Sequence, residues 1–347
     1  MKSRFLKSLF VLGAMISSQA VAETFWIAQE DSYGTLSGYD SIVVQQNSTV
    51  EKIENTENGT FLNVQAELTV NSDLEVKQIS MSQYDKTCKL TVNGNLTLIK
   101  NAKGEGGTLS IAQGETLIVT GTTTINGGSL TSPCTVQTGK LVINGQTSTS
   151  GTIVTDEVEV NHTFSLLGGS ISATDGGSGV LTIGEGGHAW QQGTTVNMDT
   201  VVDNGQMTVY KGSFDSLTIE NGKLDIRGNV TTGALTLKEG EVLINSGCVI
   251  DLAGEDLILS DKVAITVNVS NLEEAITGNY TLFTNLGQVS GSPLEVTFQN
   301  YEGTETQKAA LIYNADGSVT VSAVPEPTTA TLSLLALAGL CARRRRK

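Results

Sequence analysis

Residues 217–244 read LTIENGKLDIRGNVTTGALTLKEGEVLI, and this stretch decides the fold class. An apolar–polar–apolar triplet recurs in it at 217–219, 224–226, 235–237 and 242–244. The alternation places the first and third side chains of each triplet on one face of a short strand, while the intervening Gly and Asn favour turns. A strand this short cannot bury its apolar face alone, so the units are expected to stack on one another.

The spacing of the triplets indicates how they stack. Leu217 and Leu235 are 18 residues apart, as are Leu224 and Val242, and Leu90 and Leu109 are 19 apart. These intervals predict coils of 18 to 20 residues that contain two or more short strands each. We therefore predict an all-β fold, a parallel β-helix or β-solenoid over 23–262, with inward Leu, Ile and Val forming continuous ladders.

A β-sandwich or jelly roll also uses short strands and is the alternative fold. Such domains more often have proline in their turns, aromatic residues in the core and longer alternating strands. The chain has only 4 prolines and 5% aromatic residues. These features favour the solenoid.

The sequence texture changes at Val263. A longer alternating strand at 263–269 is followed by a single helical turn at 272–276 and by strands at 280–283, 294–298, 309–313 and 318–321. Asp316-Gly317 is typical of a hairpin turn. We expect 263–323 to form an antiparallel cap that covers the open end of the solenoid, whose backbone groups would otherwise pair with other chains.

The amino-terminal end has the features of a signal peptide over 1–22. Lys2, Arg4 and Lys7 form a basic region, and 9–16 is apolar. Ala20 and Ala22 place small residues where a signal peptidase cleaves, so cleavage is expected after Ala22. A retained anchor is disfavoured because the apolar run is short.

The carboxyl-terminal segment, 324–347, combines three features in the sequence VPEPTTATLSLLALAGLCARRRRK. Proline cannot continue a strand or a helix interior, so Val324, Pro325, Glu326 and Pro327 should leave an extended, protease-accessible backbone. The apolar run that follows predicts a short membrane helix. By the positive-inside rule, the final cations act as a cytoplasmic retention cluster: Arg343, Arg344, Arg345, Arg346 and Lys347.

This order of features resembles the PEP-CTERM sorting signal of Gram-negative bacteria. The resemblance implies cleavage by an exosortase, a membrane transpeptidase or protease, followed by release or transfer to the cell surface. It also implies a sorting route linked to extracellular polymer. An ordinary carboxyl-terminal anchor is the alternative, and both interpretations place the body outside the inner membrane.

The body between these two ends is strongly acidic. It keeps 13 of the 21 Lys and Arg residues and 35 of the 36 Asp and Glu residues, which gives a net charge of −22. Such a charge disfavours nucleic acid and anionic lipid as partners. Three cysteines remain in it, Cys88, Cys134 and Cys248. No CxxC pair occurs, and sequence selects no disulfide pairing, so buried, inert thiols are expected.

Candidate catalytic or metal-binding groups are few. His162 and His188 are the two histidines, and neither has a carboxylate at ligand spacing, so surface or turn positions are expected. Acidic residues group at 156–159, 251–256 and 273–274. Asp225 and Arg227 share one side of a strand, where a surface ion pair is expected. Trp26 and Trp190 could stack on sugars, although they are far apart in sequence.

We expect an exported structural or adhesive protein with no enzymatic activity, catalytic residue, cofactor or metal. Its outward Thr, Ser and Asn side chains would suit contact with extracellular polysaccharide or other glycans. The alternative is a carbohydrate-active enzyme, a polysaccharide lyase or glycoside hydrolase on a β-helix. That alternative predicts clustered acids, a base and an aromatic ring on consecutive coils. A third hypothesis is an assembly subunit anchored by an uncut tail.

Overall fold

The computed structural model describes residues 23–56, 59–81, 87–100, 107–126, 130–131, 134–174 and 178–324. This part of the chain forms a β-solenoid of about 11 turns, in which parallel strands lie above their counterparts in the next coil. The solenoid predicted from the triplets is confirmed. Its coils have three faces, and the chain passes from the first to the second and then to the third.

The first face is built from strands with inward apolar side chains at alternate positions, which pair in parallel from coil to coil. Its strands are β1 (Thr24–Ile27), β3 (Ser41–Val44), β5 (Phe61–Val64), β8 (Gln78–Met81), β11 (Thr108–Ile111), β13 (Leu130–Thr131), β15 (Thr147–Thr149), β18 (Thr163–Leu166), β23 (Gly240–Asn245), β26 (Val263–Val269) and β29 (Glu295–Asn300).

The second face pairs in the same way. It comprises β2 (Asp31–Leu36), β4 (Ser48–Ile53), β6 (Glu67–Val70), β9 (Lys89–Val92), the first halves of β12 (Thr116–Ile125), β14 (Thr135–Ile143) and β22 (Val230–Leu237), and β16 (Thr152–Val154), β19 (Ser170–Ser172), β24 (Ile250–Asp251) and β27 (Tyr280–Thr284).

The third face closes each coil. It comprises β7 (Leu74–Val76), β10 (Leu96–Leu98), the second halves of β12, β14 and β22, and β17 (Glu157–Val160), β20 (Val180–Ile183), β25 (Leu257–Leu259) and β28 (Val289–Gly291). One long strand, β21 (His188–Ile226), bends around the corners and contributes to all three faces.

The core consists of apolar ladders that run along the solenoid. Leu217, Leu235 and Leu257 stack in register on the third face, and all three are fully buried. On the first face, Phe164 lies next to the small Ala189, so that large and small side chains fill the interior together. The 18-residue intervals from Leu217 to Leu235 and from Leu224 to Val242 are therefore true repeats.

One predicted repeat interval is wrong. Leu90 pairs with Leu68 and Leu117 on the second face, whereas Leu109 pairs with Ile79 on the first face. The two leucines are 19 residues apart in sequence but belong to different ladders, because the coils in this region are longer than 20 residues.

The antiparallel cap exists, but it lies later in the chain than 263–323. Strand β26 pairs in parallel with both β23 and β29, so the solenoid continues through Asn300. Antiparallel pairing joins β30 (Thr306–Tyr313) to β29, and β31 (Val319–Ala323) to β30 and β27. The short helix α1 (Leu272–Thr277) packs on β29 and β31.

The turn predicted at Asp316-Gly317 is confirmed between the last two strands. Gly317 has a φ of 75°, and the Asp316 carboxylate accepts a hydrogen bond from the Ser318 N–H at 3.0 Å.

Asparagine side chains stack on the outer surface where strands of the third face end. The Asn144 amide donates to Asn126 Oδ1 at 3.0 Å, and the Asn161 amide donates to Asn144 Oδ1 at 3.1 Å. Each amide satisfies the next, so the corners of successive coils are held in register.

Removal of one rung of a core ladder should destabilise the whole stack. We expect Leu235→Ala to cost roughly 2–5 kcal/mol, because it leaves a cavity between Leu217 and Leu257. The shift of the urea denaturation midpoint measures this cost. Thr236→Ala, at the next and outward position, is the control and should change stability by less than about 0.5 kcal/mol. Equal effects of the two substitutions would contradict the inward ladder.

Candidate functional site

Three successive coils bring together six side chains on the outer side of the first face. They alternate with the buried Ala189, Met207, Leu224 and Ile226, and therefore point outward. The Arg227 N–H donates to the Val209 carbonyl oxygen at 2.8 Å, and the Gln206 N–H donates to that of Gly187 at 2.9 Å, which sets the register of these coils. We call the six residues the aromatic patch: His188, Trp190, Thr208, Tyr210, Asp225 and Arg227.

A hydrogen-bonded chain fixes the Trp190 ring. The indole Nε1–H donates to His188 Nδ1 at 2.8 Å, and the two rings meet edge to face with centroids 5.1 Å apart. The other nitrogen, His188 Nε2, lies 3.0 Å from Thr208 Oγ1. Because an indole N–H only donates, this network assigns the proton of the neutral imidazole to Nε2, which donates to Thr208. The imidazole is therefore committed to holding Trp190 and does not accept a proton from Thr208.

A second network fixes the Tyr210 ring. Arg227 donates to Asp225 Oδ2 from Nε at 2.9 Å and from a terminal nitrogen at 2.8 Å, and donates to the Tyr210 hydroxyl from Nη1 at 3.2 Å. The guanidinium carbon lies 5.7 Å from the centroid of the Tyr210 ring. The hydrogen bond to Asp225 raises the pKa of Arg227. The guanidinium thus connects the two outer coils of the patch.

The Asp225 carboxylate lies beneath this network. The residue is only 2% exposed, and its Oδ1 atom has no hydrogen-bond partner among the described residues. Burial, and then the negative charge of Asp225, raise the pKa of the neighbouring Cys248 thiol. A buried carboxylate is tolerated only when it is paired, so Arg227 supports the fold as well as the patch.

A groove of about 490 Å³ lies beside the aromatic patch, where the chain turns from the first face to the second. It is lined mainly by hydroxyl, amide and charged groups, from Gly193, Thr194, Thr195, Lys211, Gly212, Ser213, Asn229, Val230, Thr231, Val249, Asp251 and Thr284. We call it the polar groove. It crosses the same coils as the patch, so the two form a continuous surface.

The corners of these coils approach each other closely. A Cβ atom at Gly228 would collide with the Tyr210 carbonyl oxygen, and one at Gly212 would collide with the Gln191 amide. Gln191 is fully buried, and its amide donates to the Thr194 carbonyl oxygen at 2.6 Å. Glycine at these corners lets the coils stack closely enough to form the groove.

The patch can supply ring stacking and hydrogen bonding. Trp190 is 38% exposed and Tyr210 is 37% exposed, so each ring offers part of its surface to a ligand. Glycoside hydrolysis typically uses two carboxyl groups on either side of the bond that is cut. The six patch residues include one carboxylate, that of Asp225, and it is engaged by Arg227. The geometry therefore favours binding.

Comparison with known proteins adds information about one segment of the chain. Residues 323–347 match the family model of the PEP-CTERM protein-sorting motif. The chain ends in a PEP-CTERM motif. No curated protein and no solved structure matches the chain.

The PEP-CTERM motif begins where the described fold ends. Ala323 is the last residue of β31, and Val324 is exposed. The remaining predicted sorting residues, from Pro325 to Pro327, and the retention cluster, from Arg343 to Lys347, lie outside the described residues. So do the predicted signal-cleavage residues Ala20 and Ala22. Across the described ranges, no helix has the length and apolar character needed to cross a bilayer.

The two histidines lie on neighbouring coils but in different settings. The His188 N–H donates to the His162 carbonyl oxygen at 3.0 Å. His162 is exposed, and its Nδ1 accepts a hydrogen bond from the Thr163 N–H at 2.8 Å, as expected for a turn histidine. The surface or turn position expected for His188 is wrong in one respect, because its ring is partly buried between Trp190 and Thr208. Its partner Thr208 is twenty residues away in sequence, so local sequence gave no signal of this contact.

The predicted acidic groups have structural partners. Glu157 and Glu159 form ion pairs with Lys140 at 2.7 and 2.9 Å. Asp251 Oδ1 accepts from the Ala253 N–H and the Asn285 amide, both at 2.9 Å. Remaining partners are backbone or hydroxyl donors: Asp156 accepts from Thr174, and Asp256 from the Gln288 N–H, while Glu273 lies exposed on α1. Over the described part of the chain, no group of three or more His, Cys, Asp and Glu side chains is placed to hold a metal ion.

The predicted pairing of Asp225 with Arg227 is confirmed, but the acid is buried and the pair is not a plain surface ion pair. The two tryptophans are separated, since Trp26 lies on β1 and Trp190 in the patch. Sequence reasoning missed the patch as a whole. The available signal was an outward polar or aromatic pair ahead of three successive corners, at 188–190, 208–210 and 225–227.

All three cysteines of the described body are buried, as expected. The Cys88 N–H donates to the buried carboxylate of Glu115. Burial and the negative charge of Glu115 raise the pKa of the Cys88 thiol to about 12. A thiol with this pKa stays protonated and unreactive at neutral pH.

The His188–Trp190 contact should depend on pH. Burial lowers the pKa of His188; the Asp225 charge raises it and the Arg227 charge lowers it further. The folded chain therefore holds the neutral ring to a lower pH than the unfolded chain. The resulting stability falls as the pH drops from the ordinary histidine value, about 6.5, towards the folded one. Protonated His188 cannot accept the indole hydrogen bond, so acidification should release Trp190.

Fluorescence of a Trp26→Phe variant measures this release, because Trp190 is then the single tryptophan of a chain that has two. We expect its emission to change below the ordinary histidine pKa. Adding His188→Gln should abolish the transition. An unchanged transition in that variant would show that another group is responsible.

Loss of Arg227 should leave Asp225 buried without its cation. We expect Arg227→Met to destabilise the protein by about 1–3 kcal/mol in urea denaturation. Combining it with Asp225→Asn should restore part of that loss, because the buried group is then neutral. Purely additive effects of the two substitutions would contradict the paired arrangement.

Proposed function

We propose that this is an exported structural or adhesive protein of the cell surface or extracellular matrix, without catalytic activity. A leader over 1–22 would direct export, with cleavage after Ala22 by signal peptidase. The PEP-CTERM motif at 323–347 implies processing by an exosortase, a membrane protease-like enzyme. In this proposal the chain is anchored briefly in the inner membrane and then moves to the outer envelope or the medium.

The observation that carries the proposal is the junction between the cap and the sorting motif. The Val324 N–H donates to the Lys308 carbonyl oxygen at 2.9 Å, and the Gln307 amide donates to the Val324 carbonyl oxygen at 2.9 Å. The cap therefore holds the chain up to the last residue before Pro325. Cleavage at the Pro-Glu-Pro segment would release a solenoid whose hydrogen bonds are complete at that end.

The adhesive part of the proposal rests on the outer surface of the coils. Stacked asparagines, together with Thr and Ser at outward positions, give rows of hydrogen-bonding groups with a spacing of about 4.8 Å between strands. Repeated, weak contacts along such rows suit a polymeric partner, because many of them act together. The net charge of −22 disfavours nucleic acid and favours glycans as this partner.

A carbohydrate-active enzyme is the competing function for the same surface. It would need a second carboxylate close to the glycan bond that is cut, or a free base near the substrate. In the patch, the Asp225 carboxylate is held by Arg227 and the His188 imidazole by Trp190 and Thr208. We therefore propose binding without turnover. New reducing ends or unsaturated uronates after incubation with polysaccharide would contradict this part of the proposal.

Intact mass of the protein recovered from the envelope and medium of its native host tests the sorting route. We expect a chain that begins at Glu23 and ends between Val324 and Pro327, with any added glycan or lipid visible as extra mass. Substituting Pro325 and Pro327 with alanine should leave the tail uncut. A wild-type mass that retains residues 343–347 would contradict sorting by cleavage and favour an anchored assembly subunit.

A further inference from the structure

We infer that the aromatic patch and the polar groove form a single binding site for a neutral polysaccharide chain. The inference rests on the proposed function and deepens it, since it names the site and the chemical class of the ligand. Three independent features carry it: two immobilised rings, a row of hydroxyl and amide groups, and a locally balanced charge.

The two rings form a preorganised platform. Trp190 is held by His188 and Tyr210 by Arg227, so little side-chain freedom remains to be lost on binding. The backbone contacts between coils place Tyr210 one coil beyond Trp190 and two residues further along its strand. One face of a pyranose ring presents mainly C–H groups, which pack on aromatic rings. Two rings displaced in this way would contact successive sugars of one chain.

The polar groove continues from the platform across the same coils. Thr195, Ser213, Asn229 and Thr231 line it and come from three consecutive coils. Hydroxyl and amide groups both donate and accept hydrogen bonds, which matches the hydroxyl groups of a sugar. Because similar groups recur from coil to coil, the groove suits a repeating polymer better than a single small molecule.

The charge of the site distinguishes between classes of polysaccharide. Arg227 is neutralised by Asp225, and Lys211 and Asp251 both line the groove, so the site carries little net charge. The surrounding body has a net charge of −22 and repels polyanions. An acidic polymer would therefore approach against the field of the whole protein, whereas a neutral polymer would not.

The test uses the processed protein recovered from its host and measures retardation in native gels that contain polysaccharide. Two neutral polymers, a glucan and a mannan, are compared with the acidic polymers alginate and polygalacturonate. We expect retardation by at least one neutral polymer and none by the acidic ones. Retardation by an acidic polymer as strong as that by the neutral ones would overturn the inference.

Ring substitutions locate the site. Trp190→Ala and Tyr210→Ala should each weaken binding about tenfold. Trp190→Phe, which keeps an aromatic ring, should retain most of the affinity, and this distinguishes stacking from a folding defect. Trp26→Ala is the matched control, because Trp26 is 55% exposed on the first strand and far from the groove. Unchanged binding in Trp190→Ala and Tyr210→Ala, or equal loss in Trp26→Ala, would overturn the assignment.

Failure of the inference can be told apart from failure of the proposed function. Wild-type protein that is correctly cleaved and surface-located but binds no polymer overturns the site and leaves the sorting proposal in place. Wild-type protein that keeps its tail overturns the sorting proposal, while the binding test on the same material still judges the site.

Discussion

Parallel stacking of inward apolar side chains is the constraint on which this structure depends. No single strand of three to five residues buries enough surface to hold itself, and a coil becomes stable only against its neighbours. The buried rows of leucine, isoleucine and valine satisfy this requirement on all three faces. The last coil has no successor, and there the chain reverses into antiparallel strands that pair with the exposed edges of β27 and β29.

The same stacking creates the functional surface. Each strand has inward positions for the core and outward positions that are free to vary, and the register aligns outward residues that are distant in sequence. His188 thereby meets Thr208, and Tyr210 meets Arg227. A binding surface assembled in this way is rigid, because displacing one of its side chains also disturbs the hydrogen bonds to the next coil.

Sequence predicted the inward half of the structure well. The triplets and the 18-residue interval from Leu217 to Leu235 gave the solenoid, since hydrophobic alternation reports burial directly. The helical turn after Asn271 and the turn at Asp316-Gly317 followed from local preferences. Irregular coils defeated the method elsewhere. Leu90 and Leu109 have a suitable interval but lie on different faces, and β26 has a long alternation that is shared by parallel and antiparallel strands.

The candidate site could not be predicted because outward contacts depend on which coil lies above which. Twenty-five residues separate the paired Phe164 and Ala189, so counting 18 residues from Phe164 misses the coil that carries His188 and Trp190. Burial of Asp225 was missed for the same reason, since its cover comes from outside its own triplet. The sorting tail, in contrast, is a contiguous signal and could be identified from its residues alone.

Hydrogen exchange followed by mass spectrometry on the processed protein tests the stacked-coil structure most directly. Every inward strand donates its backbone hydrogen bonds to a neighbouring coil, so protected peptides should recur along the chain and continue through 263–300. Exchange should be faster at the corners between them. Uniformly fast exchange over 188–259, or protection that stops before Val263, would contradict a parallel solenoid and remove the basis for a binding site shared by three coils.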